Sequence, residues 1–410
     1  MDQAFLRSTE RPDYSDGSPT LRLVDLFCGC GGMSLGIAEA AKRSGAAVRV
    51  ALAVDFDEMA TGVYQNNFSG TTVRTVGVET LFDGELGAAV TSTEQALADE
   101  VAADGIDILV GGPPCQGHSD LNNTSRRKDK RNELYVRMAR AAEVLRPSMV
   151  MIENVPAVQH AAQGVVATVV EHLQGLGYRV GHAVVDVSQL GVPQTRKRHI
   201  VLAIDDSIDV TAVDVLEGAI ANPHSARTVD WAIRDLVDLP EQGRSGFDTP
   251  SRVSDTNKER MAWFFEDPEN RYDLPNPRRP PCHRDKEHSY NSVYGRLRWD
   301  APAQTITTGF TSMGQGRYVH PAKPRTLTPH EAARLQGFPD FFKFDVKTTA
   351  ERTTWSKLIG NAVPPKLSMV VGLPVIEALV LRKREEQEPE EEQRVPLRQV
   401  AAIGSQARAK

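Results

Sequence analysis

LRLVDLFCGCGGMSLGIAEAAKRS, residues 21–44, decides the fold. The apolar run LRLVDLF reads as a strand, and MSLGIAEAAKRS has helical spacing that stops at Gly45. Between them lie Gly29, Gly31 and Gly32. A glycine turn from strand to helix is where backbone can approach a ligand closely, and the helix start offers free N–H groups. The glycine order departs from the G-x-G-x-x-G dinucleotide fingerprint, so the turn suits any adenosine-bearing cofactor. At the end of the next apolar run, VRVALAV, Asp55 stands where an acid can bond a ribose diol and Phe56 where a ring can pack on a purine.

Working outward, DILVGG, MVMIENV, YRVGHAVVD and RHIVLAI supply further strands, with helical patterns near 58–67, 134–146 and 162–175. That alternation is the signature of an α/β fold, a doubly wound and mostly parallel Rossmann-like sheet. After about Asp205 it fails, and Pro, Arg and polar residues dominate. A smaller, irregular domain is expected over 206–320, inserted into a main domain of 21–205 and 321–381, because helical patterns return at 328–338 and from Lys366 to about Leu381. The polar lead 1–20 and the charged tail 382–410 are expected to be disordered.

The composition, 40% hydrophobic and 25% charged over 410 residues, is that of an ordinary soluble protein. No apolar run approaches the ~18 residues that span a bilayer, and the first residues lack a signal-peptide core, so a cytoplasmic location without a membrane is expected. The net charge of −6 argues against a protein that coats nucleic acid, yet two local runs are basic: RRKDKR at 126–131, and 271–298 with seven basic residues against three acids. The four cysteines are too few and scattered for a disulfide framework. Cys28 and Cys30 lack a second pair at ligand spacing, and Cys282 with His283 and His288 fares no better, so no metal is expected.

Chemistry gathers at one edge of the expected sheet. In GGPPCQGHSD, residues 111–120, Cys115 follows the strand DILVGG on the carboxyl edge, where open α/β folds bind ligands, and Pro113 and Pro114 stiffen its mount. Glu153 ends an apolar strand that would otherwise finish in Val or Ile. Arg196 and Arg198 alternate just as a strand begins, so both are expected to point to one side.

Taken together, DLFCGCGG, GGPPCQG, IENV, GVPQTRKR, RLRWDAPAQTIT with LTPHEAARLQGFPD, and GNAVPP resemble the cytosine-5 DNA methyltransferases, in family order over most of 21–372. The resemblance implies an S-adenosylmethionine-dependent enzyme on duplex DNA that flips out its target cytosine, either a prokaryotic restriction-modification enzyme with a cognate restriction endonuclease or an orphan modification enzyme without one. It assigns catalysis to Cys115, Glu153, Arg196 and Arg198, with Arg198 on the cytosine O2. The cofactor falls to Phe27, Gly29, Gly31, Gly32, Asp55, Phe56, Pro114, Leu134 and Asn361. DNA falls to Gln116, Ser119, Arg126 and Arg127 in the loop after Cys115, and to Arg278, Arg279 and Arg284 in the inserted domain. A transfer RNA methyltransferase of the same fold is the nearest alternative, but its Cys-Phe-Thr motif is absent after ENV. Two departures stand out: His118 follows PCQG in place of the usual Phe, and Gly77 occupies the place of the acid that meets the adenine amino group. Either backbone serves there or the donor is held more weakly.

Overall fold

In the computed structural model, residues 2–114, 132–160, 164–238, 245–284, 293–346 and 351–393 are described. The opening apolar run forms β1 (Thr20–Leu26), and the glycine turn leads into α1 (Gly32–Arg43). The alternation continues as β2 (Ala47–Asp55), α2 (Glu58–Asn67), β3 (Thr72–Thr75), α3 (Ser92–Val101), β4 (Ile108–Gly111), α4 (Asn132–Leu145), β5 (Met149–Asn154), α5 (Val165–Gly175), β6 (Tyr178–Asp186) and β7 (Lys197–Asp205). The sheet order is β3-β2-β1-β4-β5-β7-β6. Pairings among β1 to β5 are parallel, whereas β7 runs antiparallel to both β5 and β6. The connection 187–196 is too short for the crossover of a dozen or more residues that a parallel pair needs.

Strand side chains alternate between two cores. Leu23, Ile108, Val110, Met149, Met151, Ile200 and Leu202 meet α1 and α2 on one face, while Val24, Leu109, Val150, Ile152 and Val201 meet α3, α4 and α5 on the other. Both faces are covered, which is why these strands are near-continuous apolar runs.

The chain departs from expectation at both ends and in the middle. The lead is ordered from residue 2: Leu6 and Tyr14 are buried, the Leu6 and Ser8 carbonyls accept from Asp340 and Phe341, and Tyr14 donates to Glu39 at 2.5 Å. The helix Ala212–Ala221, α6, packs on β6 as part of the main core, as do Val229, Ala232 and Ile233, so the irregular unit begins well after residue 206. Its own small core joins Met261 and Phe264 of α7 (Asp255–Phe265) to Leu274, Met313 and Val319. Leu297, Ala303, Ile306 and Phe310 already lie in the main core, before residue 321. After α8 (Pro329–Gln336) and α9 (Glu351–Asn361), α10 (Pro365–Gln393) runs past the expected tail boundary at 382. By length and composition the stretch Glu351–Gln387 is apolar enough to cross a membrane, but 72% of its apolar window is buried inside the protein, the pattern of a core helix.

Candidate active site

The glycine turn is held by its neighbours. Asp55, at the end of β2, accepts from the backbone N–H of Gly29 on one carboxylate oxygen and from that of Asp57 on the other, each at 2.9 Å. Burial pushes the Asp55 carboxyl up against these two bonds. Phe27 takes a left-handed conformation (φ 55°), a cost for a non-glycine residue, followed by Gly29 (52°) and Gly31 (97°). A Cβ on Gly32 would collide with the Val363 carbonyl, and one on Gly36 with Pro365 and Ser368, so these glycines seat the GNAVPP block against α1. Beneath the turn, Asp25 accepts from Ser34 at 2.6 Å. Burial pushes Asp25 up to about 7, with the Ser34 bond opposing and the Asp55 charge adding to the rise. Burial also raises the Cys28 and Cys30 thiols, Cys30 to about 12, so both stay neutral packing groups.

The turn opens on an apolar shelf. Phe56 is 74% exposed and Val76 37%, and the pairing of Asp55 with Thr75 sets them side by side. Val76 escaped the sequence reading; only its adjacency to Phe56 across the β2–β3 pair singles it out. At Gly77 the space a side chain would occupy is filled by the Glu79 carboxylate, so an acid does stand there, supplied from two residues on. Leu134 on α4 is half-buried, and Asn361 at the end of α9 is exposed.

On the chemical side, the antiparallel register places the start of β7 beside the end of β5, pairing Glu153 with Ile200 and Asn154 with His199. Arg198 therefore reaches Glu153, Nε to Oε1 at 2.6 Å, both side chains nearly buried at 13% and 9% exposure. The second Glu153 oxygen lies 3.3 Å from where a Cβ on Gly112 would be, so glycine keeps that approach open. Asn154, another residue the sequence reading missed, donates its amide to the Pro113 carbonyl at 3.1 Å and anchors the Pro-Pro turn to β5. Pro114 is half-buried at the end of that turn. Cys115, Gln116, His118, Ser119, Arg126 and Arg127 lie outside the described residues.

One catalytic expectation is corrected. Arg196 does not share a side with Arg198: it is 3% exposed and donates to the Ile306 carbonyl at 2.8 Å and the Gly360 carbonyl at 3.4 Å. It sits on the turn before β7 and not in the strand, where the period-two argument would have applied. In the irregular unit, Arg278 is exposed with its guanidinium 5.6 Å from the Trp263 ring. Arg279 donates Nε to the Leu274 carbonyl and Arg284 to that of Arg279.

Comparison with known proteins gives a consistent result. Residues 21–376 match the family described as C-5 cytosine-specific DNA methylase. The chain is 44% identical over 372 residues to the Type II methyltransferase M1.BsuMI of Bacillus subtilis, covering 91% of this chain and 84% of that protein. It is 30% identical over 371 residues to the Type II methylase M.HgiDII of Herpetosiphon aurantiacus, covering 88% and 98%. Among solved structures, the S. pombe Dnmt2 methyltransferase superposes with a TM-score of 0.59 at 18% identity, over 88% of this chain and 99% of that one, a likeness of fold.

Proposed function

The chain belongs to the C-5 cytosine-specific DNA methylase family, and from that premise we propose how its residues divide the reaction. The activity is methyl transfer to carbon 5 of cytosine in DNA. Duplex DNA with a flipped target base is the substrate we assign, in the cytoplasm, with a cognate restriction endonuclease as functional counterpart.

The residues at the glycine turn fit S-adenosylmethionine: left-handed glycines that let backbone approach, an exposed ring for a purine, and an acid with lone pairs to spare. When bound, that cofactor supplies an electrophilic methyl group. Gly29, Gly31 and Gly32 would line it with backbone, Phe27 and Phe56 would flank the purine, and Asp55 would accept from the ribose. Pro114, Leu134 and Asn361 would close the remaining sides. Glu79, reaching into the space at Gly77, would accept from the adenine amino group.

The Cys115 thiolate adds to C6 of the flipped base, forming an S–C bond and pushing charge into the ring. Glu153 gives its proton to N3 as that charge develops and accepts from the amino group, and Arg198 donates to O2. Carbon 5, now nucleophilic, would take the methyl group from the cofactor's sulfonium, leaving S-adenosylhomocysteine; loss of the C5 proton to solvent, return of the Cys115–C6 bonding pair to the sulfur as thiolate, and return of the N3 proton to Glu153 then release methylated cytosine. The observation that carries this assignment is the 2.6 Å Glu153–Arg198 pair on the edge that also bears the Pro-Pro turn. Bisulfite sequencing of DNA from cells expressing the protein identifies the target. A duplex carrying 5-fluorocytosine at that site then traps the enzyme covalently in the presence of S-adenosylmethionine, because fluorine cannot leave as a cation; Cys115→Ser gives no adduct. Absence of a wild-type adduct at a mapped site overturns the mechanism.

A further inference from the structure

Arg196 is the catalytic-edge residue for which the mechanism above has no task. Its two carbonyl acceptors belong to different parts of the chain: Ile306 lies on the segment returning from the irregular unit, and Gly360 lies one residue before Asn361. Buried bonds converge around it. Gln194 accepts from the Ile306 N–H at 3.0 Å and donates to Leu335 and Gln336, and Gln336 donates to the Ile359 carbonyl at 2.5 Å. Thr305 donates to the Thr195 carbonyl at 2.6 Å, and 194–195 pair in parallel with 303–304. Gly360 is pressed so closely on the backbone of Thr307 and Thr308 that no side chain would fit. Only Lys197 separates this junction from Arg198.

We propose that Arg196 is a positioning residue that couples cofactor binding at the Asn361 side to capture of the flipped base at the Arg198 side. The inference rests on the roles given above to Arg198 and Asn361. A guanidinium is a rigid planar fork, so two carbonyls bound to it hold a fixed relative position, and displacement of one is transmitted to the strand that carries the fork. Ordering of Gly360–Asn361 around the cofactor thereby fixes residues 196–198, and with them the Arg198–Glu153 pair. Coupling of this kind is reciprocal: bound DNA tightens the cofactor site by the same factor.

The experiment measures the dissociation constant of S-adenosylhomocysteine by calorimetry, alone and with a saturating duplex containing the bisulfite-mapped site. Wild type is expected to bind it roughly 5- to 150-fold tighter with the duplex. Arg196→Lys keeps the charge without the fork, and Arg196→Gln keeps one amide donor. Both should lose most of that enhancement, weaken duplex binding in the presence of S-adenosylhomocysteine by the same factor while leaving duplex binding in its absence little changed, and slow single-turnover methylation on the order of tenfold. Melting temperature in the presence of S-adenosylhomocysteine confirms that each variant is folded. Arg198→Ala should lose turnover while its S-adenosylhomocysteine affinity in the absence of DNA stays that of wild type. Wild-type enhancement in both Arg196 variants, or no enhancement in wild type, overturns the proposal. Unimpaired turnover in Arg198→Ala, or no binding of S-adenosylhomocysteine by wild type, instead overturns the functional reading on which it rests.

Discussion

The carboxyl edge of the sheet and the irregular unit between Val253 and Val319 hold their functional side chains in opposite ways. At the edge, Glu153 and Arg198 project from paired strands, nearly buried and locked at 2.6 Å. In the irregular unit, arginines lie over aromatic rings and bond nearby carbonyls: Arg271 sits 4.4 Å from the Trp263 ring, and Arg298 sits 4.6 Å from the Tyr272 ring. Among the described residues its core is five buried side chains. Bond making tolerates little positional error, which suits the reading that places it on strands held by paired neighbours. A surface proposed to read bases, as the irregular unit is here, needs donors in reach of a groove and has far fewer internal constraints.

That contrast can be broken from either side. The largest effect is expected at the nucleophile: Cys115→Ala should abolish methyl transfer to background while leaving S-adenosylhomocysteine affinity unchanged, as assayed with labelled donor and by calorimetry. Glu153→Gln should come next, lowering single-turnover rate about 10²- to 10⁴-fold through loss of the proton delivered to N3. A rate near wild type would remove Glu153 from the chemistry. On the other side, Phe264→Ala empties a fully buried site in the small core, at a cost of roughly 3–5 kcal/mol. If the two regions are as separable as their cores imply, DNA affinity falls while S-adenosylhomocysteine affinity holds; parallel loss of both would show a single cooperative unit.

Arg278→Ala should relax selectivity at one base position by about 1–3 kcal/mol if it reads guanine, or weaken all sequences equally with a shallower salt dependence if it meets phosphate. Competition binding across single-base variants of the mapped site separates the two. The smallest effect is a pH dependence at the junction. His330 on α8 is bonded by Asp340 at 2.9 Å and by Asp248 at 2.7 Å, and Asp340 also pairs with Arg334. Burial pulls the imidazole down, but the two carboxylates outweigh it and hold it at about 9. A raised folded-state value stabilises fully below the unfolded pKa of about 6.5 and is lost as pH climbs toward 9, so the melting temperature should fall across that window. His330→Gln should flatten the curve.

The sheet edge that carries the candidate residues was legible in the sequence because it rests on short-range regularities. The 3.6-residue spacing after the glycines gives α1 its length, and single polar residues ending apolar runs mark Asp55 and Glu153. What escaped depended on partners distant in sequence. Arg11, amid the lead expected to be disordered, lies within 6 Å of the Tyr14, Phe68 and Phe341 rings. Irregular segments carry no period, so nothing local announces that they pack. Glu79 carries no signal in the sequence, because a side chain that folds back two residues to the space at Gly77 leaves the motif spacing unchanged.

By itself the sequence determined the class of sheet and the edge on which the candidate residues gather, since these follow from residue type and local spacing, and its ordered motifs carried the resemblance that names the family and a candidate nucleophile and acid. Tertiary structure alone decided which of two neighbouring arginines meets Glu153. Arg196 and Arg198 are chemically identical and two residues apart, and only the arrival of Ile306 and Gly360, more than a hundred residues downstream, gives one of them buried carbonyls to satisfy and leaves the other to the carboxylate.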